Sequence, residues 1–310
     1  MITSVRVATR DDLAEIAELV DAQELGVDSF ASPMTEAAAL EFLGGYIDPS
    51  PTHLLSIDGE EGFSAVVNLH PDAGKSKFFT DVYVHPRIDD YSQVVQWALE
   101  LAAAEHGEWS MWPAVNALDV RLQDAWSEVG FKFLRKYNTM RAHFGGAEVP
   151  LQLESVEIRA LDTSLESELR LAHAVQQDAF SGHFDFTPRT FEVWRELMMG
   201  EDASSDKNGF FLATLNGEPA GICICSDEIA ENNRGYIWIL GVAHAAQGNR
   251  IGEALLRHSF AYFQTRGFGG ADLTVDTGNE SGALRLYEKV GFRAESAWVQ
   301  MVNDDWNPNR

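Results

Sequence analysis

A strand, a glycine-bearing turn and a helix follow one another between Tyr236 and Ala261, and this succession limits what the chain can fold into. The run Tyr236-Ile-Trp-Ile-Leu-Gly-Val242 has the length and the β-branched and aromatic content of a buried strand. Ile251, Ala254, Leu255, Phe260 and Ala261 then recur near the helical repeat. The turn between them, Gln247-Gly248-Asn249-Arg250-Ile251-Gly252-Glu253, brings bare backbone amides and the positive end of a helix together. That combination suits a diphosphate. Gly248 allows the backbone to approach an anion, Gly252 allows the first helical turn to press close, and Arg250 adds a cation.

About thirty residues on, Ala271-Asp-Leu-Thr-Val275 reads as a strand. Asn279-Glu-Ser-Gly-Ala283-Leu-Arg-Leu-Tyr287-Glu-Lys-Val-Gly291-Phe292 reads as a helix stopped by a glycine cap. With both motifs in hand, the chain resembles the GNAT superfamily of acyl-CoA-dependent N-acetyltransferases. The second motif is complete in Asn279, Ala283, Leu286, Tyr287, Gly291 and Phe292, while the first departs once, with Arg250 where a glycine usually stands. The resemblance implies acetyl-CoA as cosubstrate, with main-chain groups at Leu240, Gly241 and Val242 along the pantetheine. It places the pyrophosphate at Gln247, Gly248, Asn249, Arg250, Ile251, Gly252 and Glu253, and adds Asn279, Ala283 and Tyr287 to the cofactor contacts.

The chain repeats itself. Ser4-Val-Arg-Val-Ala-Thr-Arg-Asp-Asp-Leu and Ser155-Val-Glu-Ile-Arg-Ala-Leu-Asp open its halves alike, as strand followed by capped helix. Trp126-Ser-Glu-Val-Gly-Phe131 and Tyr287-Glu-Lys-Val-Gly-Phe292 close them alike. Phe144-Gly-Gly-Ala-Glu-Val-Pro-Leu151 has the composition of a linker. The expected architecture is therefore α/β (α+β): two tandem GNAT-like domains, residues 1–147 and 148–310, each a mixed central sheet flanked by helices. The first copy has lost the chemistry. Where the second has its glycine turn, the first has Val84-His-Pro-Arg-Ile-Asp89-Asp90, whose carboxylates repel a diphosphate, and Trp126 stands at the position of Tyr287. It is expected to serve as a scaffold or substrate wall, or else to bind a non-CoA ligand of its own.

Composition narrows the partners. Lys and Arg number 23 against 48 Asp and Glu, a formal charge of −25, which excludes a nucleic-acid role. A polyanionic cofactor then needs local cations, and Arg250, Arg257, Arg285 and Lys289 cluster in the motif region. There is no long apolar run and no signal-peptide pattern at Met1-Ile-Thr-Ser-Val-Arg6, so a cytoplasmic protein without membrane contact is expected. The two cysteines, Cys223 and Cys225, fall on one face of a strand, poorly placed to bridge, and lack the histidines of a metal site. Oligomeric state is left open between a monomer acting as an internal pseudo-dimer and a homodimer.

The resemblance further implies direct attack of an amine on the thioester, with a backbone N–H near Leu240–Val242 facing the developing oxyanion. Tyr287, whose unperturbed pKa is about 10, is the expected acid for the departing thiolate, or else an aromatic packing residue. In its two-copy layout the chain is similar to the mycothiol synthase family, where a strand glutamate acts as base. The matching position here is Tyr236, and deprotonating a phenol near pH 7 costs about 4 kcal/mol at its normal pKa. A water relay or one of Asp227, Glu228, Glu231, His183 and Asp185 then has to serve. The expected function is acetyl transfer to a primary amine of a small molecule. The alternative is a non-catalytic acyl-CoA-binding or scaffold protein of the same fold.

Overall fold

In the computed structural model, residues 2–29, 31, 33–34, 52–57, 62–106, 108–200, 203, 205–279 and 282–306 are described. They fall into two compact units, one of residues 1–137 with 296–310 and the other of residues 138–295.

The first unit runs β1 (Ile2–Val7), α1 (Leu13–Val27), β2 (Thr52–Ile57), β3 (Ala65–Asp72), β4 (Lys77–Val84), α2 (Ser92–His106), β5 (Ser110–Asn116) and α3 (Val120–Glu128). Strands β1 to β4 form an antiparallel meander, and β5 joins β4 in parallel across the α2 connection. Strand β6 (Lys132–His143) leads out of this unit into the second.

The second unit repeats the plan with β7 (Val156–Ala160), α4 (Glu166–Phe180), α5 (Phe191–Met199), β8 (Ser205–Leu215), β9 (Glu218–Ser226), β10 (Arg234–Val242), α6 (Ile251–Thr265), β11 (Gly270–Asp276) and α7 (Ala283–Val290). Strands β7 to β10 are antiparallel and β11 pairs with β10 in parallel. Strand β12 (Arg293–Val302) closes the chain, and Trp298, Val299 and Gln300 pair with Asn116, Val115 and Ala114 of β5.

The strands of each unit are covered on both faces, as a mixed sheet with βαβ crossovers must be. In the second unit, Leu169, Ala172, Val175 and Trp194 of α4 and α5 pack on Ile222, Ile224 and Ile239. On the opposite face, Ile251, Leu255, Phe260 and Phe263 of α6 pack with Tyr287 and Phe292 on Cys223, Cys225 and Leu273. Both cysteines are buried and unbridged, on one face as the strand alternation requires, and burial pushes the Cys225 thiol up. Ser259 donates to the Cys223 sulfur at 3.1 Å. No described helix is long and apolar enough to cross a membrane.

The compact units are not divided at residue 147. Phe144–Leu151 is irregular, as its composition indicates, but Asn138–His143 ahead of it belongs with the second unit. There the Ala142 carbonyl accepts from Arg234 at 2.9 Å, and Phe144 N–H donates to Gly269 at 2.9 Å. Residues 296–310 correspondingly belong with the first unit. Composition marks where a chain leaves regular structure; it does not say which strand a segment pairs with.

Candidate active site

Strand β10 is the base on which the site is built. It pairs with β11 only through Arg234, Gly235 and Tyr236, opposite Gly270, Ala271 and Asp272. Beyond Tyr236 both strands continue, to Val242 and Asp276, without a described ladder between them. The paired end is pinned by a buried ion pair: Arg234 Nε donates to Asp272 at 2.6 Å, and Arg141 reaches the same carboxylate at 3.1 Å. The other end opens into a cavity of about 520 Å³. Trp238, Leu240, Gly241 and Val242 line one side of it, and Leu273 to Asp276 the other. Backbone groups on the edge of β10 that faces β11 are left for a ligand.

The turn after β10 forms the end wall. A 3-10 turn at His244–Ala246 leads to Gln247 in extended conformation, and α6 begins at Ile251. Gly248 holds φ +81, and a Cβ there would meet nothing within 4 Å, so its bare face looks into open space. Gly252 has a different reason for being bare. A Cβ on it would stand 2.9 Å from Leu286 Cδ2, so its bare face also lets α6 sit close to α7. Arg250 occupies the helix N-cap at φ +60, the left-handed region that the usual glycine would adopt without strain.

Three of the four cations of the motif region meet at one carboxylate. Glu253, 4% exposed, accepts from Lys289 Nζ at 2.6 Å and Arg250 Nε at 3.1 Å, with Arg257 Nε at 3.5 Å. Burial pushes its carboxyl up, but the bonds from Lys289 and Arg250 outweigh this and hold it at about 2. Arg250 and Lys289 are about half exposed, and both line the cavity. Arg257 and Arg285 do not line it.

Of the residues expected from the sequence, Leu240, Gly241, Val242, Gln247, Gly248, Arg250, Ile251, Gly252, Glu253, Asn279, Ala283 and Tyr287 all line this one cavity. Asn249 does not; its amide donates to the Ala246 and Gln247 carbonyls at 3.0 and 3.3 Å and so shapes the turn. In the Asn279 motif, Glu280 and Ser281 lie outside the described residues. Helix α7 ends at Gly291 with φ +108, the glycine cap that the motif announces.

Tyr287 is 9% exposed, its ring edge-on to Phe292 at 5.9 Å. Burial, and then the neighbouring Cys223 and Tyr236, push its phenol upward, so it is fully protonated at neutral pH and a weaker acid than a free tyrosine. Tyr236 does not line the cavity; its hydroxyl donates to Thr274 Oγ1 at 3.0 Å, and burial raises its pKa as well. Among the alternative bases, Asp227 is bound by Arg266 at 2.5 and 3.1 Å and Glu228 by Ser226 at 3.3 Å. Neither they nor Glu231 and Asp185 reach the cavity, whereas His183 does. Trp238, Thr274 and Asp276 line it unforeseen.

In the first unit the equivalent turn is closed from within. Asp90 accepts from Ser92 N–H at 3.0 Å at the head of α2, and Arg121 binds the Ile88 and Asp89 carbonyls at 2.8 and 3.1 Å. The helix end that would meet an anion carries its own carboxylate. Trp126 is fully buried against Phe131, ring centroids 4.8 Å apart, so it keeps the packing of Tyr287 without the hydroxyl.

Residues 174–292 match the model of the Acetyltransferase (GNAT) family. This part of the chain is a GNAT-family acetyltransferase domain. The whole chain is similar in fold to the GCN5-related N-acetyltransferase of Sphaerobacter thermophilus, with a TM-score of 0.81 and 22% identity over 96% of this chain and 94% of that one. It also superimposes on a tandem GNAT protein from the clavulanic acid biosynthesis pathway, with a TM-score of 0.73 and 13% identity over 96% and 97% of the two chains. The tandem GNAT fold is therefore common to both halves. In sequence the chain is 25% identical to the mycothiol acetyltransferase of Streptomyces griseus over 274 residues, 84% of this chain and 82% of that enzyme.

Proposed function

We propose that the chain transfers an acetyl group from acetyl-CoA to a primary amine of a small molecule, and that residues 240–287 carry the reaction. The observation supporting this is the opening between β10 and β11, which has free strand edge on one side, the Gly248 turn at its end and Tyr287 on its wall. Acetyl-CoA fits the chemistry of that lining: apolar Leu240, Val242, Leu273 and Ala283 suit the pantetheine arm, and the amides of Gly248 to Glu253 with Arg250 and Lys289 suit the pyrophosphate. When bound, it supplies a thioester activated toward amines. The chain does the rest. A backbone N–H of Leu240–Val242 faces the carbonyl oxygen as negative charge builds on it. Tyr287, kept protonated by burial, gives its proton to the leaving sulfur. Tyr236 lies off the cavity with its hydroxyl donated to Thr274 at 3.0 Å, and is not the base in this reading.

A panel of small primary amines offered with acetyl-CoA, read by release of free thiol, tests the proposal. Turnover on at least one amine that is abolished by Gly248→Glu is the expected result. Binding of CoA with no turnover on any amine would instead favour an acyl-CoA-binding scaffold.

A further inference from the structure

The geometry points to His183 as the group that accepts the proton of the incoming amine. This inference rests on the acetyl-transfer reading above and names a residue within it.

Five observations converge. His183 is the one candidate among Tyr236, Asp227, Glu228, Glu231, Asp185 and His183 whose side chain lines the cavity. It enters from the segment after α4, a different element from α7, which carries Tyr287. Its backbone is fixed: the His183 N–H donates to Phe180 at 2.9 Å and its carbonyl accepts from Phe186 at 3.2 Å. The ring lies against Phe180, centroids 4.6 Å apart, and among the described residues no hydrogen bond occupies either ring nitrogen. Of the two carboxylates that line the cavity, Glu253 is held by Lys289 and Arg250 and is too weak a base to compete, and Asp276 accepts from the Gly278 N–H at 2.8 Å.

The charges around His183 also favour the role. Burial lowers its pKa, Asp276 at the end of β11 acts the other way, and His244 of the 3-10 turn lowers it further. Asp178 of α4 holds His244, accepting its N–H at 2.7 Å with Nδ1 at 3.5 Å. The imidazole is thus neutral near pH 7, with a lone pair available. The proton count closes. As the C–N bond forms and the C–S bond breaks, an ammonium gives up two protons. One goes to His183 and on to solvent. The other replaces the proton that Tyr287 gives to the sulfur.

The test compares wild type, His183→Ala and His183→Gln. In the protein without ligand, the His183 resonance of a ¹⁵N-histidine-labelled sample is assigned by its absence from His183→Ala and titrated. With the fastest amine of the panel, kcat/KM is followed against pH. We expect the resonance to titrate below the ordinary imidazole range and the acidic limb of kcat/KM to fall at the same pH. Both variants should bind CoA within about threefold of wild type, lose the limb and lose roughly 10²-fold in kcat. Added imidazole should restore turnover to His183→Ala. An acidic limb that persists in His183→Ala, with kcat within about threefold of wild type, overturns the assignment and leaves acetyl transfer standing. Wild type that turns over no amine overturns both.

Discussion

At the scale of single residues, Glu253 governs the electrostatics of the cavity. A carboxylate 4% exposed at the head of α6 is tolerable only because Lys289, Arg250 and Arg257 surround it. Two of those cations are the ones a pyrophosphate would recruit, so a bound diphosphate and Glu253 compete for them. Glu253→Gln should therefore tighten CoA binding about tenfold, or ~1.4 kcal/mol, measured by calorimetry. Weaker binding in a folded variant would show instead that the carboxylate aims the cations. Tyr287→Phe keeps the ring on Phe292 and removes only the hydroxyl. It should lower kcat by roughly 10² while leaving CoA affinity within about twofold. Unchanged kcat with chemistry rate-limiting would reduce Tyr287 to a packing residue. The sequence named both residues, because fixed spacing within the glycine turn carries Glu253 and within the Asn279 motif carries Tyr287. It could not show that Glu253 ties up the cations, since the pairing of Glu253 with Lys289 joins two separate helices.

At the scale of elements, the strand–turn–helix units were legible and their irregularities were not. Apolar runs marked β10 and β11, and Gly291 marked the end of α7. The register shift between Ile237 and Ile239 breaks the alternation of β10. A bulge of that kind leaves no mark in an apolar run. Early loss of the β10–β11 ladder is likewise a tertiary event, set by what packs on the two strands rather than by their composition. Gly252 illustrates the limit most plainly. Its place in the motif points to the anion and it does line the cavity, but the closeness of its bare face to Leu286 is not readable from the motif. Gly252→Val should accordingly cost stability, about 1–3 kcal/mol by overpacking α6 against α7. It should also loosen CoA binding because the turn is displaced. Denaturant unfolding reads the first effect, and an unchanged midpoint would mean that Leu286 yields without cost.

At the scale of the whole molecule, the duplication was readable from two closing motifs, but the allotment of strands was not. Residues 138–143 and 296–310 each belong with the compact unit other than the one their position in sequence suggests. Pairing of that kind leaves no compositional trace. The functional asymmetry we propose between the copies rests on chemical differences that the sequence carries. Asp90 and Trp126 stand in the first copy where an anion and a phenol are needed, and the structure uses them to cap α2 and to fill the core. The central claim is that one copy binds acyl-CoA and the other does not. Calorimetric titration of the full chain with CoA, repeated on Gly248→Glu, tests it most directly. Gly248→Glu puts a side chain at φ +81 and a negative charge where the cavity opens. We predict one site per chain in the wild type, weakened at least about tenfold, or ~1.4 kcal/mol, by the substitution. Two comparable sites, or a single site that survives Gly248→Glu undiminished, would contradict the account.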